Sequence, residues 1–188
     1  MTIYVSGGCK NGKSSLAQRL VKAMGDNAIY YVATMIPHDN EDRERIQRHI
    51  ADRDGWGFET IECPHNVLDS LRNADHGGAF LFDSVTALLA NEMFLPSGEV
   101  DTASTERIEQ ELAVFAETVA NVVFVSDYIY SDAAIYDEYT EMYRRGLAYI
   151  DRRMAARCDI VLEVCSGNVT VHKGASLWKE MAGKADCV

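Results

Sequence analysis

The sequence predicts an α/β fold built on a mostly parallel sheet, and three observations carry that expectation. Short β-rich runs alternate with longer stretches of helical period, the mark of strand–helix–strand units. A glycine-rich octet follows the first apolar run directly, at the place where such a unit turns from strand into helix. The three prolines, at 37, 64 and 96, all fall outside the expected helices.

The first strand is expected over 2–6, and a helix after Ser14, where Leu16, Leu20, Val21 and Met24 recur at near-helical spacing before the stop at Gly25. A strand over 28–33 leads to a helix over 40–53 and a third strand over 58–62. The apolar run at 79–83 is the next strand, with a helix beginning near Thr86. Helices over 103–118 and 138–156 enclose a strand at 122–126. Strands at 160–164 and 169–172 flank Ser166, Gly167 and Asn168 and read as a C-terminal hairpin. The expected layout is one domain over 1–174 and a loose tail from Ala175, over 175–188, with no repeat, linker or low-complexity stretch between.

Composition narrows the function. The chain has 188 residues, 47% of them hydrophobic, enough for a substantial core. Its 29 acidic and 18 basic residues give a net charge of -11, which repels polyanions unless the basic residues gather locally. Nucleic acid and membrane surfaces are therefore not expected partners, and no apolar run approaches the ~20 residues of a membrane span. The N-terminus has no charged region leading into an apolar export signal, and the five cysteines form no C-x-x-C pair. These features predict a soluble protein of the reducing cytoplasm.

Residues 7–14, GGCKNGKS, satisfy G-x-x-x-x-G-K-[ST] with Gly7, Gly12, Lys13 and Ser14 in the required places. In such a loop the backbone of Gly7, Gly8, Cys9, Lys10, Asn11 and Gly12 turns its N–H groups onto phosphate oxygens. Lys13 neutralises the outer phosphates, and the Ser14 hydroxyl can ligate Mg²⁺. The plain alternative is a glycine-rich turn, and the strand before the octet and helix after it argue against that. The metal needs a second oxygen donor, and Asp83, ending the apolar strand AFLFD, is the candidate. An Asp at that point could equally cap the helix that follows.

The helical stretch NEDRERIQRHIADR sets Arg45, His49 and Arg53 at i, i+4 and i+8, on one face. Two guanidiniums beside an imidazole suit a polyphosphate, and their charge is expected to hold the ring neutral and nucleophilic. The competing reading is a solvated helix in which Glu41 and Asp42 pair with the arginines. His38, His65, His76 and His172 lack such neighbours.

With GGCKNGKS, YYVAT, RIQRHIADR, TIE and LFDS in this order, the chain resembles the bifunctional adenosylcobinamide kinase / adenosylcobinamide-phosphate guanylyltransferase family over nearly its whole length. The resemblance implies a P-loop NTPase-like, RecA-like three-layer fold. It also implies two reactions of cobalamin biosynthesis. GTP or ATP phosphorylates the aminopropanol hydroxyl of adenosylcobinamide, and GMP from GTP then passes through a guanylylated histidine to give adenosylcobinamide-GDP. By matching, His49 is that histidine, Gly7 to Ser14 cradle the nucleotide, Thr34 lines its site, and Arg53, Glu62 and Asp83 contact nucleotide or metal. The family further implies a trimer. The chain departs from the family at Asp54, where proline is frequent, and over 127–138, where relatives carry an Asn-Glu-Val segment with glycines. No role is carried to that segment.

Two other readings share part of these signals. A P-loop kinase for another small metabolite would use the loop and Asp83 but has no need for a histidine between arginines. A GTP-binding switch would read guanine through an N/T-K-x-D stretch, and the nearest approach, Gly183-Lys184-Ala185-Asp186, falls in the expected tail.

Overall fold

The computed structural model describes residues 1–25, 28–130 and 132–185. Cys187, and Asp186 of the Gly-Lys-Ala-Asp stretch, lie outside the described residues. The elements run β1 (Thr2–Gly7), α1 (Lys13–Met24), β2 (Ile29–Ala33), α2 (Asn40–Asp52), β3 (Phe58–Glu62), a 3₁₀ turn at Val67–Leu71, β4 (Ala79–Asp83), α3 (Val85–Met93), α4 (Ser104–Thr118), β5 (Asn121–Asp127), α5 (Glu138–Arg157), β6 (Ile160–Cys165), β7 (Asn168–Lys173) and α6 (Ala175–Lys184).

The strands form one seven-stranded sheet in the order β3-β2-β4-β5-β1-β6-β7. The first six are parallel, and β7 returns antiparallel to β6 through a turn with Ser166 and Gly167 at positive φ. This is the mostly parallel α/β sheet with a C-terminal hairpin that the sequence predicts. Helices cover both faces because alternate strand residues point to opposite sides. Ile3, Val5, Leu81 and Val123 pack with Leu16, Leu20 and Val21 of α1. Tyr4, Phe80, Phe82 and Phe124 pack on the other face, against Leu88 and Leu89 of α3, Leu112 and Phe115 of α4, and Ile150 and Met154 of α5. The three layers follow directly. Central strands covered twice read as continuous apolar runs, which is why AFLFD and VVFV stand out in the sequence.

Two boundaries differ from expectation. The first helix begins at Lys13, inside the octet, because Gly12 at φ 90° already turns the chain into it. Residues 175–184 of the loose tail expected from Ala175 are instead helix α6, which buries Met181 and Ala182; Met181 and the C-cap Ala185 pack in the core on the α1 side of the sheet. Its buried stripe is narrow and rich in alanine, so its periodicity is faint in the sequence. Among the described residues no helix is long and apolar enough to cross a membrane.

The topology fixes where chemistry can occur. β1 lies inside the sheet, with β5 on one side and β6 on the other: the chain leaves β1 through α1 toward the β2 side, and the later crossover from β5 passes over β1 to β6 in the opposite direction. Ligands of open α/β sheets sit outside the carboxyl ends of the strands at such a point. Gly7, Glu62, Asp83 and Asp127 are the last residues of β1, β3, β4 and β5.

Candidate active site

Gly7 closes β1 where no side chain fits. A Cβ there would run into the Val164 carbonyl of β6 and the aliphatic stem of Lys13. The loop then passes through Lys10 at φ 59° and Gly12 at φ 90° into α1. Its far side is braced by the Ser166 N–H, which donates to Asn11 Oδ1 at 3.3 Å, and by an exposed ion pair between Lys10 and Glu41 at 2.7 Å. Cys9 is exposed. Lys13 is only 5% exposed, and its Nζ donates to the Gly8 carbonyl at 2.6 Å and to Asp127 Oδ1 at 2.5 Å.

Helix α2 stands over this edge. Asp39 caps it by accepting from the Asp42 N–H at 2.8 Å, and none of its residues is buried. It is therefore seated by polar contacts. Arg53, 8% exposed, makes most of them at its C-terminal end. It donates to the His49 carbonyl at 2.7 Å and to Thr60 Oγ1 of β3 at 3.0 Å, and its guanidinium lies 3.9 Å above the Tyr31 ring. The Tyr31 hydroxyl donates in turn to Asp83 Oδ2 at 2.8 Å. Burial and the adjacent carboxylate push the Tyr31 phenol well above its ordinary value, so it stays a donor.

His49 lies where two cavities meet. One, of about 480 Å³, is bounded by Tyr31, Arg53, Thr60, Glu62 and Asp83 with an apolar wall from Met35, Ile36 and Ile46. The second, of about 230 Å³, runs along the phosphate loop past Gly12, Lys13 and Ser14 to Arg48 and Asp52. His49 and Arg45 line both. The His49 ring is half-buried, with Nδ1 enclosed and unbonded. Its pKa lies below the ordinary value, chiefly because burial disfavours the imidazolium. Arg45 and Arg53 push in the same direction, while Asp83 and Asp52 oppose them. The shift runs in the direction the sequence predicts, but desolvation outweighs the arginines that were its expected cause.

The solvated-helix alternative places Glu41 and Asp42 on the arginines, and the structure does not. Glu41 reaches Lys10, and Asp42 accepts from the His38 N–H at 3.0 Å. Arg43, Arg45, Arg48 and Arg53 thus gather with Lys13 on one edge of an otherwise acidic protein, the local concentration a polyphosphate requires.

Asp83 is not the cap of α3. That place is taken by Ser84, whose hydroxyl accepts from the Ala87 N–H at 3.2 Å, leaving Asp83 for the cavity. The Asp83–Ser84 peptide is cis. Thr34 also departs from expectation. It is fully buried and lines neither cavity, with its hydroxyl fixed on both backbone groups of Ser84. Its part is to hold the strand end that carries Asp83. Glu62, exposed at the end of β3, borders the larger cavity.

Mg²⁺ fits the donors present. The Ser14 hydroxyl and Asp83 Oδ1 make no hydrogen bond among the described residues, and both are hard oxygens of the kind this ion takes alongside substrate phosphates. Among the described residues no three or more His, Cys, Asp or Glu side chains gather as a protein-only metal cage, which a phosphate-bound Mg²⁺ does not need.

Two site residues escape sequence reasoning. Tyr31 lies within the YYVAT run, but its stack on Arg53 is visible only once β2 and α2 meet in space. Asp127 had a local signal, since VVFVSD repeats the apolar-run-then-Asp pattern of AFLFD.

A phosphate loop at the carboxyl edge of a mostly parallel three-layer sheet, with a cluster of cations above it, defines a P-loop nucleotide-binding protein. Compared with known proteins, the chain matches over residues 3–171 the family described as cobinamide kinase / cobinamide phosphate guanyltransferase. It belongs to that family and is a transferase. It is 31% identical over 180 residues to the bifunctional adenosylcobalamin biosynthesis protein CobU of Salmonella typhimurium, covering 89% of this chain and 97% of that one. With the bifunctional adenosylcobalamin biosynthesis protein CobP of Pseudomonas aeruginosa it shares 29% over 178 residues, 94% of this chain and all of that one. Solved structures of similar fold include two from Pyrococcus horikoshii OT3. One has a TM-score of 0.55 at 9% identity, covering 92% of this chain and 85% of that one. The other, a KaiC-like protein, has a TM-score of 0.52 at 13% identity, covering 92% and 79%. These two bear on the fold alone.

Proposed function

We propose that the protein catalyses two successive steps of cobalamin biosynthesis. It phosphorylates the aminopropanol hydroxyl of adenosylcobinamide with GTP or ATP, and then joins GMP from GTP to the resulting phosphate. The observation that carries this reading is the position of His49, a neutral imidazole on the wall shared by the phosphate-loop cavity and the larger cavity beside it. A kinase alone has no use for a nucleophile there.

In the transfer, a ring nitrogen of His49 attacks the α-phosphorus of GTP. A P–N bond forms, the bond to the bridging α–β oxygen breaks, and pyrophosphate leaves. An oxygen of adenosylcobinamide phosphate then attacks the same phosphorus, the P–N bond breaks, and the imidazole returns neutral. Lys13, Arg45 and Arg48 offset charge on the phosphates, and Arg53 and Glu62 bound the space for the nucleoside. Mg²⁺, when bound through Ser14, Asp83 and phosphate oxygens, would supply charge neutralisation. The same reading makes the enzyme a cytoplasmic homotrimer, which the likeness to the family supports.

Incubation with GTP labelled at the α-phosphate, followed by denaturing electrophoresis, tests this. Label is expected on the protein, on the peptide that contains His49, and absent from His49→Ala. The bond should survive alkali and hydrolyse in acid, as a phosphoramidate does. Phosphorylation of adenosylcobinamide with no protein-bound label would reduce the assignment to a kinase.

A further inference from the structure

Asp127 ends β5, the strand paired with β1, and stands in register with Gly7 at the start of the phosphate loop. It shares a sheet face with Val123 and Val125, which pack in the α1-side core. Asp83 shares that face with Ala79 and Leu81. Both carboxylates therefore leave the sheet toward the start of α1. Their partners differ: Asp83 holds the Tyr31 hydroxyl, whereas Asp127 holds the Lys13 ammonium at 2.5 Å. The Asp127 side chain is 13% exposed, and its backbone N–H donates to Thr86 Oγ1 at 2.8 Å, which fixes the strand end.

We propose that Asp127 accepts the proton of the substrate hydroxyl during phosphoryl transfer. This rests on the kinase half of the function proposed above. The lysine of a phosphate loop binds the β- and γ-phosphates, so Lys13 Nζ marks where the transferred group lies. A hydroxyl attacking that group in line must come within a hydrogen bond or two of the ammonium, and a carboxylate already touching the ammonium is within reach of it. Lys13 standing between Asp127 and the phosphates also bridges two anions that would otherwise repel. Asp127 borders neither of the two cavities, but it is the carboxylate that holds Lys13: Asp52 and Glu62 line the cavities without a hydrogen bond to that ammonium, His49 is assigned to the α-phosphate in the second reaction, and Asp83 is engaged by Tyr31 and offered to the metal.

In the step, the hydroxyl oxygen attacks the γ-phosphorus and forms the new P–O bond. The bond from that phosphorus to the β–γ bridging oxygen breaks, and the nucleoside diphosphate leaves. The hydroxyl proton passes to the Asp127 carboxylate and then to solvent.

Asp127→Asn, which keeps the shape and removes the basic oxygen, separates this role from others. The measurements are steady-state phosphorylation of adenosylcobinamide, labelling of His49 by α-labelled GTP, and Mg²⁺ titration of the kinase rate. The expected result is a kcat for phosphorylation lower by about 10²-fold or more. Labelling, the KM for GTP and the Mg²⁺ half-saturation should each stay within about threefold of the wild-type values. Kinase kcat within that same range overturns the proposal. So does a parallel loss of labelling, which would make Asp127 only a support for Lys13, or a large rise in the Mg²⁺ requirement, which would make it a metal ligand. If Asp127→Asn shows no cooperative melting, Asp127→Glu decides the matter. That variant keeps the charge but moves the carboxylate by about 1.5 Å, so kcat should fall at least about tenfold with labelling intact. Unchanged kcat in Asp127→Glu then overturns the proposal. Wild-type protein that fails to phosphorylate adenosylcobinamide overturns the underlying functional reading and the proposal with it. Wild-type turnover with an undiminished variant overturns the proposal alone.

Discussion

The Thr34 hydroxyl closes on both backbone groups of Ser84, accepting from its N–H at 2.7 Å and donating to its carbonyl at 2.8 Å. Thr34 follows β2 and Ser84 follows β4, so one buried side chain ties together two strand ends, and the backbone N–H of the same residue donates to the Asp83 carbonyl at 3.2 Å. Asp83 thus presents its carboxylate from a fixed backbone.

Thr34→Val keeps the shape and deletes the hydroxyl, leaving the buried Ser84 N–H without a partner. The expected cost is about 1–3 kcal/mol. At this chain length each kcal/mol lowers Tm by about 2–4 °C. On the proposed function both kinase and transferase rates should fall, because that reading gives Asp83 to the shared nucleotide site. Thr34→Ser restores the bonds and should recover most of both losses. An unaltered Tm in Thr34→Val, measured calorimetrically, would show that the clasp contributes nothing.

Arg53 offers a second test because its plane does three tasks that a lysine cannot do together. It stacks on Tyr31, reaches Thr60 across to β3, and caps the last turn of α2 at the His49 carbonyl. Arg53→Lys keeps the charge and loses the fork and the stack. The last turn of α2 should then loosen, giving faster amide exchange at His49–Asp52, and on the proposed function GMP incorporation should slow by at least about tenfold because His49 is less well held. Wild-type exchange rates there, with slowed incorporation, would mean that Arg53 acts through its charge alone.

The sequence reveals the elements of this fold better than their neighbours. Buried parallel strands are unbroken apolar runs and the phosphate loop is written in eight consecutive residues, so both can be read locally. The pairing of β1 with β5, some 120 residues apart, leaves no local trace, and with it goes the Lys13–Asp127 contact. The face carrying Arg45, His49 and Arg53 was readable from helical spacing. What burial does to His49 was not, because α2 buries none of its own residues and the desolvation comes from the elements around it. Thr34 shows the converse case: a resemblance locates a residue near the nucleotide, and the hydrogen bonds then assign it to the frame.

Helix α6 lies beyond the family match, which stops at residue 171, yet it packs on the body of the fold. Met181 is 6% exposed and shares the core with Leu16 and Leu20 of α1, the helix that carries Lys13. Met181→Ala should therefore destabilise the protein by about 2 kcal/mol, the lower end for a truncated core side chain because the helix sits at the margin and can settle inward. Denaturant unfolding with unchanged m-value measures it. A midpoint equal to that of wild type would mean that α6 adds no stability.

The pH dependence of GMP incorporation follows from the environment of His49. Burial lowers the pKa of the ring below the ordinary 6.5, with Arg45 and Arg53 adding to the effect and Asp83 and Asp52 working against it. Only the neutral ring has a lone pair to place on phosphorus. A lowered pKa means the ring loses its proton at a lower pH, so incorporation at subsaturating GTP should rise with pH through a midpoint below 6.5 and level off above it. Arg45→Gln removes one of the lowering influences, so its midpoint should move upward, while its plateau falls through weaker phosphate binding. The same shift has a stability sign. The unfolded chain takes up the His49 proton more readily than the folded one, so folding stability drops as pH falls below 6.5, and His49→Asn should remove that part of the acid sensitivity. Initial rates of protein labelling across the acidic to neutral range measure the first effect. A midpoint at or above the ordinary histidine value in the wild type, or no upward movement in Arg45→Gln, would contradict the assignment of a desolvated, cation-flanked imidazole as the nucleophile.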